Sequence, residues 1–514
     1  MNNQQSQFKK GVYLSYLLIL ISNLSNFYIT PLLIKNYGVS EYGVYMLVGA
    51  FVGYIAVLDF GLSNTIIKFI SQYRISNNKK DEETFIFSTL IMYISISISV
   101  LLVGLFLYTK LDFFFGRSLK IHEFEILKMM FIILIFNLTF TLPMNLFAGI
   151  ITAYEKFTFP KVINLIKIII RLLLIILLVQ FKFSIIYIVV IDTLLNVTYM
   201  TILFLYTRII LKIKIKKTEL SIKKMKEIIS YSFLIFISVL VDQLYWKIGH
   251  FLLGSLSSAS NVAIYAVSMM VVQLYITFST VFSGMLLPKI TFMVTKKSKP
   301  EELLNLMIKV GRIQLIILSF ILMAYGLFGK EIIAIWIGSG FNQAWEISLV
   351  IMVVLTVVLI QSTGILILQA KNLHGFRAFV YLGIAIVNTC ISYILAPLYG
   401  IYGVAFGTLS SLVIGNLIIM NIYYYKKIEL DIFIFFKSSF KGILISSFLV
   451  FGFNFFLGMI FEGSYILLFI KVFVYIITFS LVYYFKGLNI SEKKLLKLEF
   501  GSLNKKILKG RLKI

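Results

Sequence analysis

The sequence predicts an all-α membrane protein of about fourteen transmembrane helices: two six-helix bundles followed by two further helices. Three observations carry that expectation. The 514 residues are 60% hydrophobic and only 14% charged, with a mean hydropathy of +0.96, so most of the chain cannot form a water-soluble surface. Apolar runs of about 20 residues, the length a helix needs to cross the ~30 Å hydrocarbon layer, recur from one end to the other. Basic residues gather in alternate connections between those runs, as cytoplasmic loops require.

The first six apolar runs cover residues 11 to 34, 41 to 62, 85 to 108, 128 to 152, 162 to 180 and 184 to 206. The next six cover 228 to 254, 262 to 287, 306 to 328, 345 to 368, 377 to 396 and 401 to 424, and the last two 438 to 461 and 464 to 485. Lys9 and Lys10 precede the first run, which is too long for a cleavable signal core and is followed by more spans. It reads as the first transmembrane helix. With the N-terminus inside, cytoplasmic segments and their helix ends hold 38 of the 48 Lys and Arg residues, outer segments hold 7, and 3 lie deep in spans. A missed or invented helix would invert the alternation downstream, so the bias supports both the count and two cytoplasmic termini.

The net charge of +26 would suggest nucleic acid in a soluble domain. Here the basic residues sit in short segments between apolar runs, which topology explains, so no nucleic-acid partner is expected. Cys390 is the only cysteine and lies in an apolar run, which excludes an intramolecular disulfide and a cysteine metal cluster. Metalloprotease, nucleotide-binding and nucleophile-elbow motifs are absent, and the chain has three histidines. An enzyme is therefore not expected, nor any cofactor. The enzyme alternative is a membrane polymerase or ligase.

The expected organisation is an N-terminal bundle over residues 1–206, a basic cytoplasmic linker over 207–227, a C-terminal bundle over 228–425, two helices within 426–485 and a basic cytoplasmic tail over 486–514. The linker carries eight basic residues between Arg208 and Lys226, which would hold it to anionic headgroups while the bundles move. The halves echo one another. Ser40-Glu41-Tyr42-Gly43-Val44-Tyr45 opens the second span and Ser260-Asn261-Val262-Ala263-Ile264-Tyr265 opens the eighth. A weaker echo joins Ala153-Tyr154-Glu155-Lys156 with Ala370-Lys371-Asn372-Leu373. An even number of spans separates the copies, so both halves share one orientation, and a pseudo-twofold axis along the membrane normal follows.

Ionisable residues inside spans are costly and mark functional positions by default. In the fifth span Asn164, Lys167 and Arg171 fall on one helical stripe, and the planar fork of Arg171 suits phosphate oxygens. In the seventh, Lys247 and His250 stand one turn apart with Trp246 beside them, and Asp242 could accept a proton or sodium ion. Asp192, in the sixth span, could act likewise or pair with Arg171 across the short outer turn. Asp59, at the cytoplasmic end of the second span, is a third ion-coupling candidate, with pairing to Lys68 as its alternative. Lys35 stands at the outer mouth of the first span, after Pro31. Pro31 and Pro143 lie inside spans, where a missing backbone donor permits bending.

Tyr37-Gly38-Val39-Ser40-Glu41-Tyr42-Gly43-Val44-Tyr45, continuing to Leu58-Asp59-Phe60-Gly61-Leu62, resembles the start of polysaccharide transporters of the multidrug/oligosaccharidyl-lipid/polysaccharide exporter superfamily. The Asp242 to Pro288 segment is similar to the family's seventh and eighth helices, and Pro397-Leu398-Tyr399-Gly400-Ile401-Tyr402-Gly403 to its eleventh-to-twelfth turn. The resemblance implies a Wzx-type flippase of the bacterial inner membrane. Such a protein carries an undecaprenyl-diphosphate oligosaccharide, an O-antigen or capsule repeat unit, to the outer leaflet, with H+ or Na+ coupling, membrane lipids around it and other polysaccharide-assembly proteins as possible partners. Relatives of the same fold flip lipid II or export drugs. Drug exporters often carry an acid in the first helix, and Tyr13 to Ile34 has none.

Overall fold

The computed structural model describes residues 2–213, 215–216, 222–284, 286–371, 373–460 and 465–494. Parts of the basic linker and most of the basic tail therefore lie outside the described residues. Among the described residues there is no strand, and every expected span falls on a helix. Among the described residues twelve helices are long and apolar enough to cross a membrane. One of these, Tyr13–Gly53, has 41 residues, about 60 Å of helix, or twice the bilayer core. It belongs to α1 (Asn2–Ala56), which turns at Gly38, where φ is 83° and ψ 167°. A side chain there would clash with its own backbone, so glycine marks the join of the first and second spans. α7 (Ile222–Leu256) stands where the seventh span is expected.

Most spans are predominantly apolar helices, a form that closes the backbone hydrogen bonds internally as the hydrocarbon interior demands. The bulky side chains on the outside fit a lipid surface. Phe448 of α17 (Ile443–Ile460) and Phe469 of α18 (Tyr465–Val482) are 75% and 79% exposed, which water would penalise and acyl chains do not. α1 and α4 (Ile121–Ala153) run through Pro31 and Pro143 as continuous helices.

Two expected spans are broken, and one ends elsewhere than the sequence suggests. The second does not stop at residue 62: after α1, a turn at Val57–Asp59 and positive φ at Phe60 and Gly61 lead into α2 (Leu62–Ile75). Asp59 therefore lies at a break within a longer helical path, because glycine in the left-handed region redirects the chain without ending it. The eighth span, α8 (Ala259–Gly284), is followed by α9 (Leu287–Thr295), whose second residue is Pro288. The tenth divides into α11 (Asn342–Leu359) and α12 (Ser362–Ala370) around Ile360 and Gln361.

The chain packs as two compact units, Met1–Ser268 with Ala378–Ser411, and Met269–Arg377 with Leu412–Ile514. In the first, α1 packs against α4, α5 (Thr158–Gln180) and α7, and α4 in turn against α3 (Lys79–Phe115) and α6 (Ile186–Leu205). Small residues let the helices approach, as membrane interfaces require: Gly149 of α4 faces Ile66, and Gly43 of α1 lies against the carbonyl of Ala259. Phe51 is the aromatic centre, edge-on to Phe115, Phe131 and Phe251 at 5.1 to 5.8 Å.

In the second unit α10 (Pro300–Ile337) is the central helix. Its Arg312 is 5% exposed and pairs with Glu492, Nε to Oε1 at 2.7 Å and Nη2 to Oε2 at 3.1 Å. Nη1 also donates to the carbonyls of Ser438 and Lys441, both at 2.9 Å, and Nη2 to that of Gly487 at 2.9 Å. These are the carbonyls left open at the end of α16 (Ile432–Phe440) and at the π-helical turn Tyr483–Gly487. One guanidinium thus caps two helix ends and holds the last two spans to α10.

Candidate functional site

The charged stripe on α5 faces α6 and the second limb of α1. Arg171 donates from Nε to Asp192 Oδ1 at 2.6 Å and from Nη2 to Asp192 Oδ2 at 3.1 Å, a fork-on-carboxylate pair. Nη2 also donates to the Tyr45 hydroxyl at 2.9 Å, which reaches Asp192 Oδ2 at 3.4 Å. The Arg171 and Asp192 side chains keep 20% and 28% of their surface open. Of the two fates considered for Asp192, the structure shows the pair with Arg171. Lys167, one turn nearer the start of α5, rests its ammonium 4.7 Å from the ring centre of Tyr199, an attraction of about 0.5 to 2 kcal/mol depending on hydration. Asn164 is half-buried one turn further along.

The α7 group is divided. Lys247 is half-buried against α1, where its stem meets Gly53; a Cβ at Gly53 would collide with Gln243 and touch Lys247 Cγ. His250 is 3% exposed and lies edge-on to Tyr265 of α8 at 5.2 Å. One helical turn therefore separates a residue with open surface from one enclosed by packing. Trp246 packs edge-on to Tyr245 at 4.8 Å, and Asp242 and Lys35 are exposed. Tyr45 and Tyr265 close the two copies of the six-residue repeat, and each lies against a candidate residue, Arg171 for one and His250 for the other.

Asp59 takes the Tyr93 hydroxyl at 2.8 Å, Ser63 Oγ at 3.3 Å and Asn145 Nδ2 at 3.4 Å, all on Oδ1. Its partners come from α2, α3 and α4, and none is cationic. Lys68, offered as its partner by the sequence, lies over the ring of Phe69 at 5.2 Å. Sequence reasoning missed Tyr93 and Asn145, uncharged residues in long apolar runs. It also missed a buried network in the first unit. There the Tyr245 hydroxyl donates to the Thr408 carbonyl at 3.0 Å, while Asn388 donates to the Tyr245 carbonyl at 3.3 Å. Arg312, an arginine inside an apolar run, carried a visible signal that the sequence reading did not take up.

Residues 8–294 match the family described as polysaccharide biosynthesis protein. No curated protein matches the chain in sequence. Among solved structures, the lipid II flippase MurJ in an inward closed conformation superposes with a TM-score of 0.71 at 16% identity, covering 92% of this chain and 98% of that one. An inward-facing multidrug resistance MATE family transporter of the MOP superfamily gives 0.61 at 15% identity, over 78% and 96% of the two chains. A MOP superfamily transporter from Pyrococcus furiosus gives 0.52 at 15% identity, over 82% and 95%. These likenesses show the fold. With more than half of its length matched, the chain belongs to the polysaccharide biosynthesis protein family and has the fold of the MOP exporter superfamily, whose solved members here are flippases and transporters rather than enzymes.

Proposed function

We propose that the protein carries an undecaprenyl-diphosphate-linked oligosaccharide, an O-antigen or capsule repeat unit, from the cytoplasmic to the outer leaflet of the bacterial cytoplasmic membrane. A diphosphate with several sugars does not cross hydrocarbon unaided, because stripping water from its charge and hydroxyls costs too much. The observation that carries the reading is Arg171, a span-embedded guanidinium in a chain of the polysaccharide biosynthesis family. A bare arginine at mid-membrane costs about 2.5 to 3.5 kcal/mol on insertion scales. Asp192 removes that cost when no substrate is present. A phosphate oxygen can take the place of the Asp192 carboxylate on the same fork, so the arginine exchanges one anion for another and is never left bare. Lys167 and Lys247 supply further positive charge on the way, and Asn164, Trp246 and His250 offer hydrogen bonds and stacking to sugars. Lys35 stands where the headgroup leaves. An ion gradient, H+ or Na+, drives the cycle, with Asp242, Asp192 and Asp59 as carboxylates able to take the ion.

The test is glycan export in cells carrying Arg171→Ala or Lys247→Ala. Both variants insert normally and export less. Wild-type export by both removes the assignment of these residues. A second reading, flipping of lipid II, is favoured by the 0.71 superposition on the lipid II flippase. Proteoliposomes loaded with either glycolipid separate the two: transport of the oligosaccharide lipid alone supports the first, and transport of lipid II alone the second.

A further inference from the structure

We infer that Gln243 is a specificity-determining residue for the carried glycolipid: its amide binds the hydroxyl or acetamido group next to the phosphate that meets Lys247. The inference rests on the transport reading and adds to it a residue and a chemical group. It starts from two polar groups left without partners. Gln243 Oε1 is buried with no hydrogen bond, and among the described residues neither end of that amide has one. The Lys247 ammonium, one turn further along α7, has no hydrogen bond, ion pair or ring contact among the described residues. Arg171 has Asp192 as its counter-ion; in the same set of residues Lys247 has none.

Both groups sit in one notch of the second limb of α1. A Cβ at Gly53 would overlap Gln243 Oε1 and stand 3.4 Å from Lys247 Cγ, so glycine is what lets the two side chains lie there. Phe51 meets Phe251 edge-on at 5.8 Å on one side of the notch, and Phe60 stacks on Phe236 at 4.6 Å on the other. So deep in an apolar seam an unmet amide and an unpaired ammonium are both costly, and the cost marks a place for a ligand. One turn back along the same face of α1, Gly49 is exposed, with nothing within 4 Å of where a Cβ would stand. Open space therefore adjoins the notch.

The plain alternative is that the amide only packs on Gly53. A Cα–H contact is a weak hydrogen bond and does not replace the one that a buried amide oxygen loses on leaving water. The two most buried glutamines among the described residues are bonded: Gln314 donates to Ser279 Oγ at 3.2 Å and accepts from Ser362 Oγ at 3.1 Å, and Gln361 donates to the Val357 carbonyl at 3.1 Å. The chemistry of the missing partner follows. Lys247 takes an anion. The Gln243 amide, on the same face one turn away, takes a group that both donates and accepts, as a hydroxyl or an acetamido does in either orientation of the amide. In a sugar diphosphate the nearest such group is the substituent on the carbon beside the one that bears the phosphate. A sugar lacking it leaves the amide unmet, the loss on which a binding site discriminates most sharply.

The test is binding of tritiated farnesyl diphosphates bearing glucose, N-acetylglucosamine or 2-deoxyglucose to purified full-length protein in nanodiscs. The wild type binds the first two and holds the deoxy lipid roughly tenfold more weakly, about 1.4 kcal/mol. The tighter of the first two tells hydroxyl from acetamido recognition. Gln243→Leu, or Gln243→Met if that variant does not fold, binds all three alike at the weak affinity. Lys247→Ala weakens all three and keeps their order. Equal binding of the three lipids by the wild type, or a deoxy penalty that survives in Gln243→Leu, overturns the inference and leaves the transport reading standing. A wild type that binds none of them removes the transport reading, and this inference with it.

Discussion

Ser40 Oγ lies 3.0 Å from Ser260 Oγ. The two serines begin the two copies of the six-residue repeat, so equivalent positions of the repeat touch each other. The contact joins the start of the second limb of α1 to the start of α8, where Gly43 also lies against the Ala259 carbonyl. Any movement that opens this end must part the two serines.

That gives a direct test by cross-linking. Two hydroxyl oxygens at this distance place their Cβ atoms within reach of a disulfide. With the native Cys390 replaced by alanine, the Ser40→Cys/Ser260→Cys double variant forms a cross-link under mild oxidation, seen by loss of thiol labelling. Export stops in the oxidised protein and returns on reduction. Full export with the bond formed would mean that these ends never separate during transport.

The fork between Arg171 and Asp192 separates a structural from a transport role. Arg171→Ala loses charge-assisted hydrogen bonds of about 1.5 to 3 kcal/mol each, and export falls by roughly tenfold or more. If the pair only holds α5 to α6, replacing both residues with leucine relieves the unpaired charge and restores export. If Arg171 receives the diphosphate, the Arg171→Leu/Asp192→Leu variant folds as well as wild type and stays inactive, while Asp192→Asn retains partial export. Thermal unfolding measured beside export distinguishes the outcomes.

The spans were legible because their signal, about 20 apolar residues, is local and strong, and the Arg171 to Asp192 pair because a short turn joins their helices. The break at Val57–Gly61 was not, since Leu58-Asp59-Phe60-Gly61-Leu62 has the polar and glycine signals of a helix end. Only the packing of α2 shows that the path continues. The separation of Lys247 from His250 was invisible for a different reason: spacing along a helix fixes the angle between side chains but says nothing about which neighbour covers each. Arg312 escaped because four of its six hydrogen bonds go to backbone carbonyls, which no residue pattern announces, and its acidic partner follows 180 residues later.

Arg312 itself yields a stability prediction. Its pair with Glu492 has side-chain exposures of 6% and 9%, and cutting one partner from such a pair leaves a buried charge, costing about 3 to 5 kcal/mol. Arg312→Ala also uncaps α16 and the turn at Gly487, so it is the more damaging single change. Glu492→Gln keeps the shape and loses less. In detergent, the unfolding midpoint falls in the order wild type, Glu492→Gln, Arg312→Ala, and trypsin cuts the last two spans free most readily in Arg312→Ala. Equal midpoints for all three would show that α17 and α18 are held to α10 by apolar packing alone.

The proposed transport cycle is driven by an ion gradient, and the two candidate ions can be told apart. Collapsing the proton gradient with a protonophore and the sodium gradient with a sodium ionophore, separately, in vesicles that flip a fluorescent glycolipid distinguishes the two ions. If sodium drives the cycle through Asp59, the sodium ionophore slows flipping severalfold and the protonophore does not; if protons do, the order is reversed; in either case Asp59→Asn flips at the same slow rate with or without a gradient. Rates unchanged by either agent would mean that the protein equilibrates its substrate between leaflets without coupling, and the carboxylates at Asp59, Asp192 and Asp242 would then need another explanation.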